Sequence, residues 1–245
     1  MGSKTVIVTG AGSGIGKAIA TKFAINNYQV VIADLNEESG NETLKEIESN
    51  GGKAIFVKTD ASDPRSCESL VKKTIETYGG LDCAVNNAGI SSVGIKTGEY
   101  PIDKWNHEIA VNLNGVFYGM RHQIPEILKT KGAIVNIASV LGVTAIPLSP
   151  AYVAAKHGVV GLTKTAALEY AQQGIRINVV GPGYTETPLL AHYTEEKRNS
   201  VIARHPMGRL AKPDEIANMV YWLGTEEASY VNGAYFAVDG GYTAQ

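Results

Sequence analysis

Short, continuously apolar runs alternate along the chain with longer stretches in which apolar positions recur at helical spacing. Continuous apolarity, as in Val6-Ile7-Val8, indicates strands buried on both faces, which is typical of a parallel sheet. The pattern predicts strands at residues 5–9, 29–33, 54–59, 81–86, 133–138, 176–180 and 235–238. It predicts helices at residues 14–25, 37–50, 64–78, 102–129, 151–173 and 213–224.

The alternation of strands and helices predicts right-handed β-α-β crossovers. Asp63-Pro64 supplies an N-cap and a first-turn proline for the third helix, and Gly79-Gly80 ends that helix. No repeat or linker divides the chain. We therefore expect residues 1–245 to form a single doubly wound, Rossmann-like α/β domain, with a seven-stranded parallel sheet and helices on both faces.

Three irregular segments, residues 91–101, 141–150 and 181–206, follow the fourth, fifth and sixth predicted strands. Ligands of open α/β sheets bind beyond the carboxyl ends of the strands, so these segments are expected to build a substrate pocket. Their apolar residues favour an apolar or cyclic substrate, although Arg198 and Arg204 weigh against this. His192 and His205 flank a candidate lid and are candidates for substrate contact. The apolar residues are Val140, Leu141, Val143, Ile146, Leu148, Leu189 and Leu190.

Composition narrows the range of partners. The net charge of −2 lacks the basic footprint of a nucleic-acid-binding domain, and no apolar run approaches the ~18 residues of a membrane span. Two cysteines cannot form a disulfide framework, and the histidines have no metal-ligand spacing, so we expect a cytoplasmic protein without a metal. Glycine is enriched, with 27 residues in 245, which indicates tight turns or close backbone approach.

A glycine-rich loop joins the first strand to the first helix. Without Cβ atoms, its backbone can approach a pyrophosphate, and the helix N-terminus offers free N–H groups and a positive dipole end. The Gly-x₃-Gly-x-Gly spacing only approximates the general dinucleotide motif. The candidate cofactor-binding residues here are Gly10, Ser13, Gly14, Ile15 and Gly16.

An acidic residue, Asp34, ends the second predicted strand, 18 residues after Gly16. A carboxylate at about this distance binds the adenosine ribose in NAD-dependent proteins. Asp34 could instead form a turn or cap the next helix. Because the glycine loop precedes it, we favour the ribose role and predict NAD as the cofactor.

Tyr-x-x-x-Lys places a phenol and an ammonium one helical turn apart, and it occurs three times, at Tyr100, Tyr152 and Tyr193. Only Tyr152 has a serine 13 residues upstream, Ser139, at the end of a predicted strand. We therefore select Tyr152 and Lys156 as catalytic candidates and interpret the other two pairs as solvated surface.

Together these motifs resemble the short-chain dehydrogenase/reductase family over essentially the whole chain. The resemblance implies a nicotinamide-dependent oxidoreductase that acts on an alcohol or a ketone, usually as a homotetramer. The matching residues are Thr9-Gly10-Ala11-Gly12-Ser13-Gly14-Ile15-Gly16, Asp60, Asn86-Asn87-Ala88-Gly89, Asn112, Ser139, Tyr152-x-x-x-Lys156, Pro182-Gly183 and Thr187.

The resemblance also implies roles for individual residues. Tyr152 would be the general acid or base, and Lys156 would lower the phenol's pKa and hold the nicotinamide ribose. Ser139 would bind the substrate oxygen, and Asn112 would position a water beside Lys156. The implied adenosine-side contacts are Asp60, Ala61, Asn87 and Gly89, and the implied nicotinamide-side residues are Pro182, Gly183, Thr185 and Thr187.

Two alternatives remain beside an NAD-dependent alcohol dehydrogenase. A 3-oxoacyl thioester reductase would usually take NADPH and carry Arg where this chain has Ser13, and Asp34 also argues against it. A catalytically inactive dinucleotide-binding scaffold is disfavoured because all four catalytic positions are filled. For the tetramer, we expect interfaces at strand 235–238 and at a helical patch formed by Val116, Tyr118, Ala166 and Leu168.

Overall fold

The computed structural model describes residues 3–91, 94–191 and 193–245. Seven parallel strands form one sheet in the order β3-β2-β1-β4-β5-β6-β7. The chain changes direction across the sheet between β1 and β4, and this switch point is where doubly wound sheets bind ligands. The strands are β1 (Thr5–Thr9), β2 (Gln29–Asp34), β3 (Lys53–Lys58), β4 (Cys83–Asn86), β5 (Ala133–Ile137), β6 (Arg176–Pro182) and β7 (Tyr235–Val238).

Helices cover both faces of this sheet, which confirms the predicted fold class. Val6 and Val8 face one buried cluster and Ile7 faces the other, so the apolar run in β1 is continuous because both of its faces are buried. The first cluster packs α1, α2 and α8 on the sheet, and the second packs α3, α5 and α6. The helices are α1 (Gly14–Ile25), α2 (Glu37–Ser49), α3 (Pro64–Tyr78), α4 (Ile102–Ile109), α5 (Gly115–Thr130), α6 (Pro150–Tyr170), α7 (Glu195–Ile202) and α8 (Pro213–Gly224).

The helix predicted over 102–129 is not a uniform α-helix. A π-helical turn, Ala110–Asn114, separates α4 from α5 and contains Asn112. Such turns are rare in proteins overall, and those that do occur are often found at functional sites. The prediction also missed α7 within segment 181–206, because its side chains are nearly all exposed and only Val201 is buried. Predicted strand ends differ from the observed ones by at most two residues.

The predicted helical interface patch is partly wrong. Val116 and Ala166 are each only 3% exposed and belong to the core beneath the sheet. The exposed apolar side chains of these helices are Phe117 and Leu168, at 46% and 82%. Leu168 belongs to the predicted patch and Phe117 does not, and the interface itself stays a prediction. No helix in the described part of the chain is long and apolar enough to cross a membrane.

Candidate active site

The loops after β1 and β4 are tied together at the switch point of the sheet. The Thr9 hydroxyl accepts backbone hydrogen bonds from Asn87 (2.9 Å) and Ala88 (3.0 Å). In return, the Asn87 amide donates to the carbonyls of Thr9 (2.9 Å) and Gly10 (3.3 Å). Asn87 thus fixes the glycine loop, a role that does not itself require a ligand. Thr9 belongs to the glycine-rich motif, but the sequence did not predict that its hydroxyl would hold the loop after β4.

The glycine loop faces the segment after β6. Gly10 and Gly14 have positive φ values of 65° and 52°, and residues other than glycine rarely adopt this backbone conformation. A Cβ on Gly14 would lie 3.1 Å from the Thr187 methyl group, so a side chain there would fill the space between the two segments. Ser13 begins α1 without a side-chain cap. An open N-terminus beside a cradle that a Cβ would fill fits a dinucleotide pyrophosphate.

Asp34 is held at the end of β2 by two backbone hydrogen bonds. Its carboxylate accepts from Gly12 N–H at 2.8 Å and from Asn36 N–H at 2.9 Å. The nearby cation Lys17 forms an ion pair with Glu46 on α2 at 2.7 Å. Asp34 is therefore oriented beside the glycine loop, while the charge of Lys17 is already matched.

Asp60 forms a turn at the end of the loop after β3. Its side chain accepts hydrogen bonds from the backbone and hydroxyl of Ser62, at 2.8 and 2.6 Å. The neighbouring Ala61 carbonyl packs against Gly115, where a Cβ would approach to 2.9 Å. Asp60 therefore stabilises this turn with its side chain, and the contact with the adenine ring stays a prediction.

The π turn holds the loop after β4. Asn112 accepts a hydrogen bond from Ile90 N–H at 2.9 Å and donates to the Ile90 carbonyl at 3.0 Å. A Cβ on Gly89 would lie 2.8 Å from the Asn112 amide oxygen, so glycine permits this close approach. The buried Asn112 side chain therefore orders the loop, and its expected water-holding role stays a prediction.

Ser139, Tyr152 and Lys156 converge from β5 and α6. Ser139 follows β5, and its hydroxyl accepts a hydrogen bond from Leu141 N–H at 3.2 Å. Tyr152 lies in the first turn of α6, and its hydroxyl lies close enough to the Ser139 side chain for Ser139 to favour the ionised phenol. Lys156 follows one turn later. Its ammonium donates to the Ile137 carbonyl at 2.9 Å and lies 5.6 Å from the centre of the Tyr152 ring.

Burial dominates the acid–base properties of this trio. It raises the pKa of Tyr152 to about 12, the hydrogen bond with Ser139 opposes that rise, and the charges of Glu108 and Tyr193 add to it. Burial also lowers the pKa of Lys156 to about 8. The Lys156 ammonium is directed to a strand carbonyl, and its expected lowering of the phenol's pKa stays a prediction.

The predicted nicotinamide-side residues follow β6 directly. Gly183 N–H donates to Val238 at 3.0 Å, which continues the pairing of β6 with β7. Thr185 is buried, and its hydroxyl donates to the Gly183 carbonyl at 3.1 Å. Pro182 is the last residue of β6, and Thr187 begins a short helical turn without a side-chain cap. Pro182–Thr187 therefore forms an ordered segment opposite the glycine loop.

The structure brings further side chains to Tyr152 that sequence reasoning missed. Glu108 is 3% exposed, accepts a hydrogen bond from the Tyr100 hydroxyl, and interacts electrostatically with Tyr152, as does Tyr193. Tyr100 and Tyr193 are partly buried, so interpreting those pairs as solvated surface is correct only for their lysines. The one available sign was a glutamate on the apolar face of a predicted helix, four residues before Asn112.

The two histidines beside the candidate lid, His192 and His205, were expected to be able to contact the substrate. His192 lies outside the described residues. His205 is buried, and both of its ring nitrogens have hydrogen-bond partners in the protein, so it packs within the fold rather than facing a substrate. Among the described residues, no group of three His, Cys, Asp or Glu side chains could hold a metal ion.

Comparisons with known proteins agree with this geometry. A family model described as enoyl-(acyl carrier protein) reductase matches residues 10–243. The chain is 46% identical to a cyclohexanol dehydrogenase of Acinetobacter sp. (strain SE19), over 99% of this chain and 96% of that relative. It is 39% identical to a 2,5-dichloro-2,5-cyclohexadiene-1,4-diol dehydrogenase of Sphingobium indicum, over 100% and 98%. The crystal structure of levodione reductase matches with a TM-score of 0.96 and 32% identity, over 100% of this chain and 99% of that one. The chain belongs to the short-chain dehydrogenase/reductase family.

Proposed function

We propose that this protein is an NAD-dependent dehydrogenase that interconverts cyclic secondary alcohols and their ketones. The observation that carries the proposal is the Tyr152 hydroxyl beside the Ser139 side chain, followed one turn later by the buried Lys156. The names of the relatives support a ring alcohol as substrate, since one acts on cyclohexanol and another on a cyclohexadienediol. We also propose a single cytoplasmic domain, supported by the one continuous sheet and by the two buried free cysteines.

The residues of the chain supply binding and proton transfer. A nicotinamide cofactor, when bound, supplies the hydride acceptor or donor. Ser139 donates a hydrogen bond to the substrate oxygen, and Tyr152 gives that oxygen a proton during reduction or removes it during oxidation. Lys156 would hold the nicotinamide ribose through its ammonium. Because burial raises the pKa of Tyr152 to about 12, the phenol is protonated at neutral pH, which is the form that donates a proton during reduction.

The surroundings of Tyr152 support a neutral, apolar substrate. Val143, Leu148 and Leu189 each expose about half of their side chains, at 45%, 44% and 46%, in the segments that follow β5 and β6. The electrostatic interaction with Glu108 makes the neighbourhood of the Tyr152 hydroxyl unfavourable for a second carboxylate. A ring alcohol without a negative charge fits these surroundings.

A substrate panel tests the proposal. We expect purified protein with NAD to oxidise cyclohexanol and cyclohexanediols, and to act poorly on 4-hydroxycyclohexanecarboxylate. The panel includes a 3-oxoacyl thioester with NADPH, because a 3-oxoacyl thioester reductase is the second function that the sequence leaves open. Faster turnover of the thioester would replace the proposal with that second function. Cofactor binding without turnover of any substrate would favour an inactive scaffold.

The cofactor preference gives a prediction of its own. Asp34 accepts hydrogen bonds from ribose hydroxyls and repels a 2′-phosphate, and Lys17 is paired with Glu46. We expect kcat/KM to be at least about tenfold higher with NAD than with NADP, equivalent to about 1.4 kcal/mol. The double change Asp34→Ser with Leu35→Arg should erode or reverse this preference, because it removes a repulsive group and adds an attractive one. Leu35→Ser alone is the matched control, and a wild-type preference for NADP would contradict the role of Asp34.

The assembly is also open to measurement. Phe117 and Leu168 expose apolar surface on adjacent helices, and β7 is an edge strand, so we propose a homotetramer with dihedral symmetry. Light scattering should give four times the chain mass of 26.0 kDa. Leu168→Asp should shift the distribution towards smaller species, and Lys45→Asp, an exposed position on α2 at the opposite face of the sheet, serves as its control. A wild-type monomer at micromolar concentration would contradict the prediction.

A further inference from the structure

His205 lies where three segments of the chain meet. Its Nδ1 atom is 2.9 Å from the Val201 carbonyl of α7, and the Tyr184 backbone N–H donates to its Nε2 atom at 3.2 Å. Its ring packs edge-on against Tyr184, with the centroids 5.8 Å apart, and in a tilted arrangement against Tyr242 of the C-terminal segment, with the centroids 5.3 Å apart. The side chain therefore links α7, the segment after β6 and the C-terminus.

The partners determine which nitrogen carries the hydrogen. A backbone N–H can only donate, so Nε2 must accept the bond from Tyr184. In the neutral ring Nδ1 is then the protonated nitrogen, and it donates to the Val201 carbonyl. With both nitrogens engaged and 3% exposure, the ring has one orientation in which all its polar groups are satisfied.

The Tyr184 peptide depends on this ring. On its other side, the Tyr184 carbonyl accepts a hydrogen bond from Ala211 N–H at 3.0 Å. Its neighbours are held separately, since Gly183 N–H donates to Val238 and Thr185 bonds back to Gly183. If the His205 acceptor were lost, the Tyr184 N–H would have no protein partner within a largely enclosed segment, and such a group is costly to leave unsatisfied.

We propose that His205 is a positioning residue for the segment Pro182–Thr187. Its Nε2 fixes the Tyr184 peptide and its Nδ1 ties that peptide to α7, so the two move together. The inference rests on the proposed function, in which this segment binds the nicotinamide. Disorder in the segment then weakens cofactor binding without altering Ser139, Tyr152 or Lys156.

Three variants separate the two hydrogen bonds of the ring. His205→Gln keeps an acceptor near the position of Nε2 and loses the bond to Val201. His205→Asn keeps a donor for Val201, a geometry that Asn26 and Asn41 already adopt with the carbonyls four residues before them, at 2.8 and 2.7 Å. His205→Phe keeps a ring and loses both bonds. Only loss of the hydrogen bond from Tyr184 N–H should free the segment Pro182–Thr187 from its connection to α7.

Two measurements are made on the full-length protein. The first is the Kd for NADH, obtained from its fluorescence. We expect it to rise about fivefold in His205→Asn and His205→Phe, the equivalent of one hydrogen bond, and to stay within about twofold in His205→Gln. The second is hydrogen–deuterium exchange of residues 182–187 without cofactor, which should be faster in the same two variants only. Unfolding temperatures identify any variant that is merely destabilised.

The outcomes distinguish this inference from the function on which it rests. If the wild-type protein binds no NADH, the proposed function is wrong and the inference is overturned with it. If the wild type binds NADH and all three variants bind it equally, only the inference is overturned. Equal losses in Gln, Asn and Phe would indicate a general packing role and would also overturn it. His157→Phe is the matched control, because this exposed histidine bonds to Val153, four residues before it, through the same nitrogen.

Discussion

Replacing Tyr152 with phenylalanine is expected to reduce kcat by about 100-fold or more, the range of general acid–base catalysis. The change removes one hydroxyl and leaves the ring, so α6 should keep its packing and the protein should still bind NADH. The Ser139 hydroxyl retains the hydrogen bond from Leu141 N–H. Steady-state rates of cyclohexanone reduction, together with an NADH titration, separate lost chemistry from lost binding.

The control for this variant is Tyr170→Phe, which makes the same change at the last residue of the same helix. It should retain near-normal turnover. Near-normal turnover in Tyr152→Phe as well would remove the basis for the proposed mechanism. A loss of NADH binding in Tyr152→Phe would instead show that the phenol contributes to cofactor affinity.

Replacing Lys156 with alanine should be about as severe, because the buried ammonium is expected to act on the proton transfer and on the ribose. We expect a loss of about 100-fold in kcat/KM together with a raised Kd for NADH, whereas Tyr152→Phe should change kcat alone. Because burial lowers the pKa of Lys156 to about 8, the ammonium is charged at neutral pH and loses its proton as the pH rises through 8. The wild-type kcat/KM for ketone reduction should therefore decline above about pH 8.

Lys164→Ala is the control for this prediction, since Lys164 is exposed on the same helix two turns later. Its rate and pH profile should match those of the wild type. An unchanged Kd for NADH in Lys156→Ala would argue against the ribose contact. A flat wild-type profile between pH 7 and 9.5 would show that the charge of Lys156 is not needed for reduction.

The sequence was sufficient to predict which elements carry the site. Continuous apolar runs identified the parallel strands, and parallel strands place their carboxyl ends at one edge, so Ser139 after β5 had to lie near the loops after β1 and β4. Because Tyr152 and Lys156 are four residues apart, formation of the predicted helix is enough to place both side chains on the same face. These predictions rest on local periodicity and on the known direction of crossovers.

Other properties depend on tertiary contacts that periodicity does not encode. Residues 102–129 read as one α-helix, because the π turn shifts the phase of the apolar positions without ending the helical run. The raised pKa of Tyr152 follows from burial and from its neighbours Glu108 and Tyr193, which come from different elements. Helix α7 is too polar to show an apolar face, and the tie between His205 and Tyr184 joins residues 21 positions apart.

The π turn between α4 and α5 sets the angular phase of one helix against the other. A π turn behaves as an α-helix that carries one additional residue, and one residue corresponds to about 100° of rotation about the helix axis. Deleting a residue from Ala110–Asn114 would leave α5 packed as it is and turn α4 by that angle. The face of α4 that now carries the buried Glu108 would then point away from Tyr152. Chain length in this turn is therefore under tighter constraint than the identity of most of its side chains.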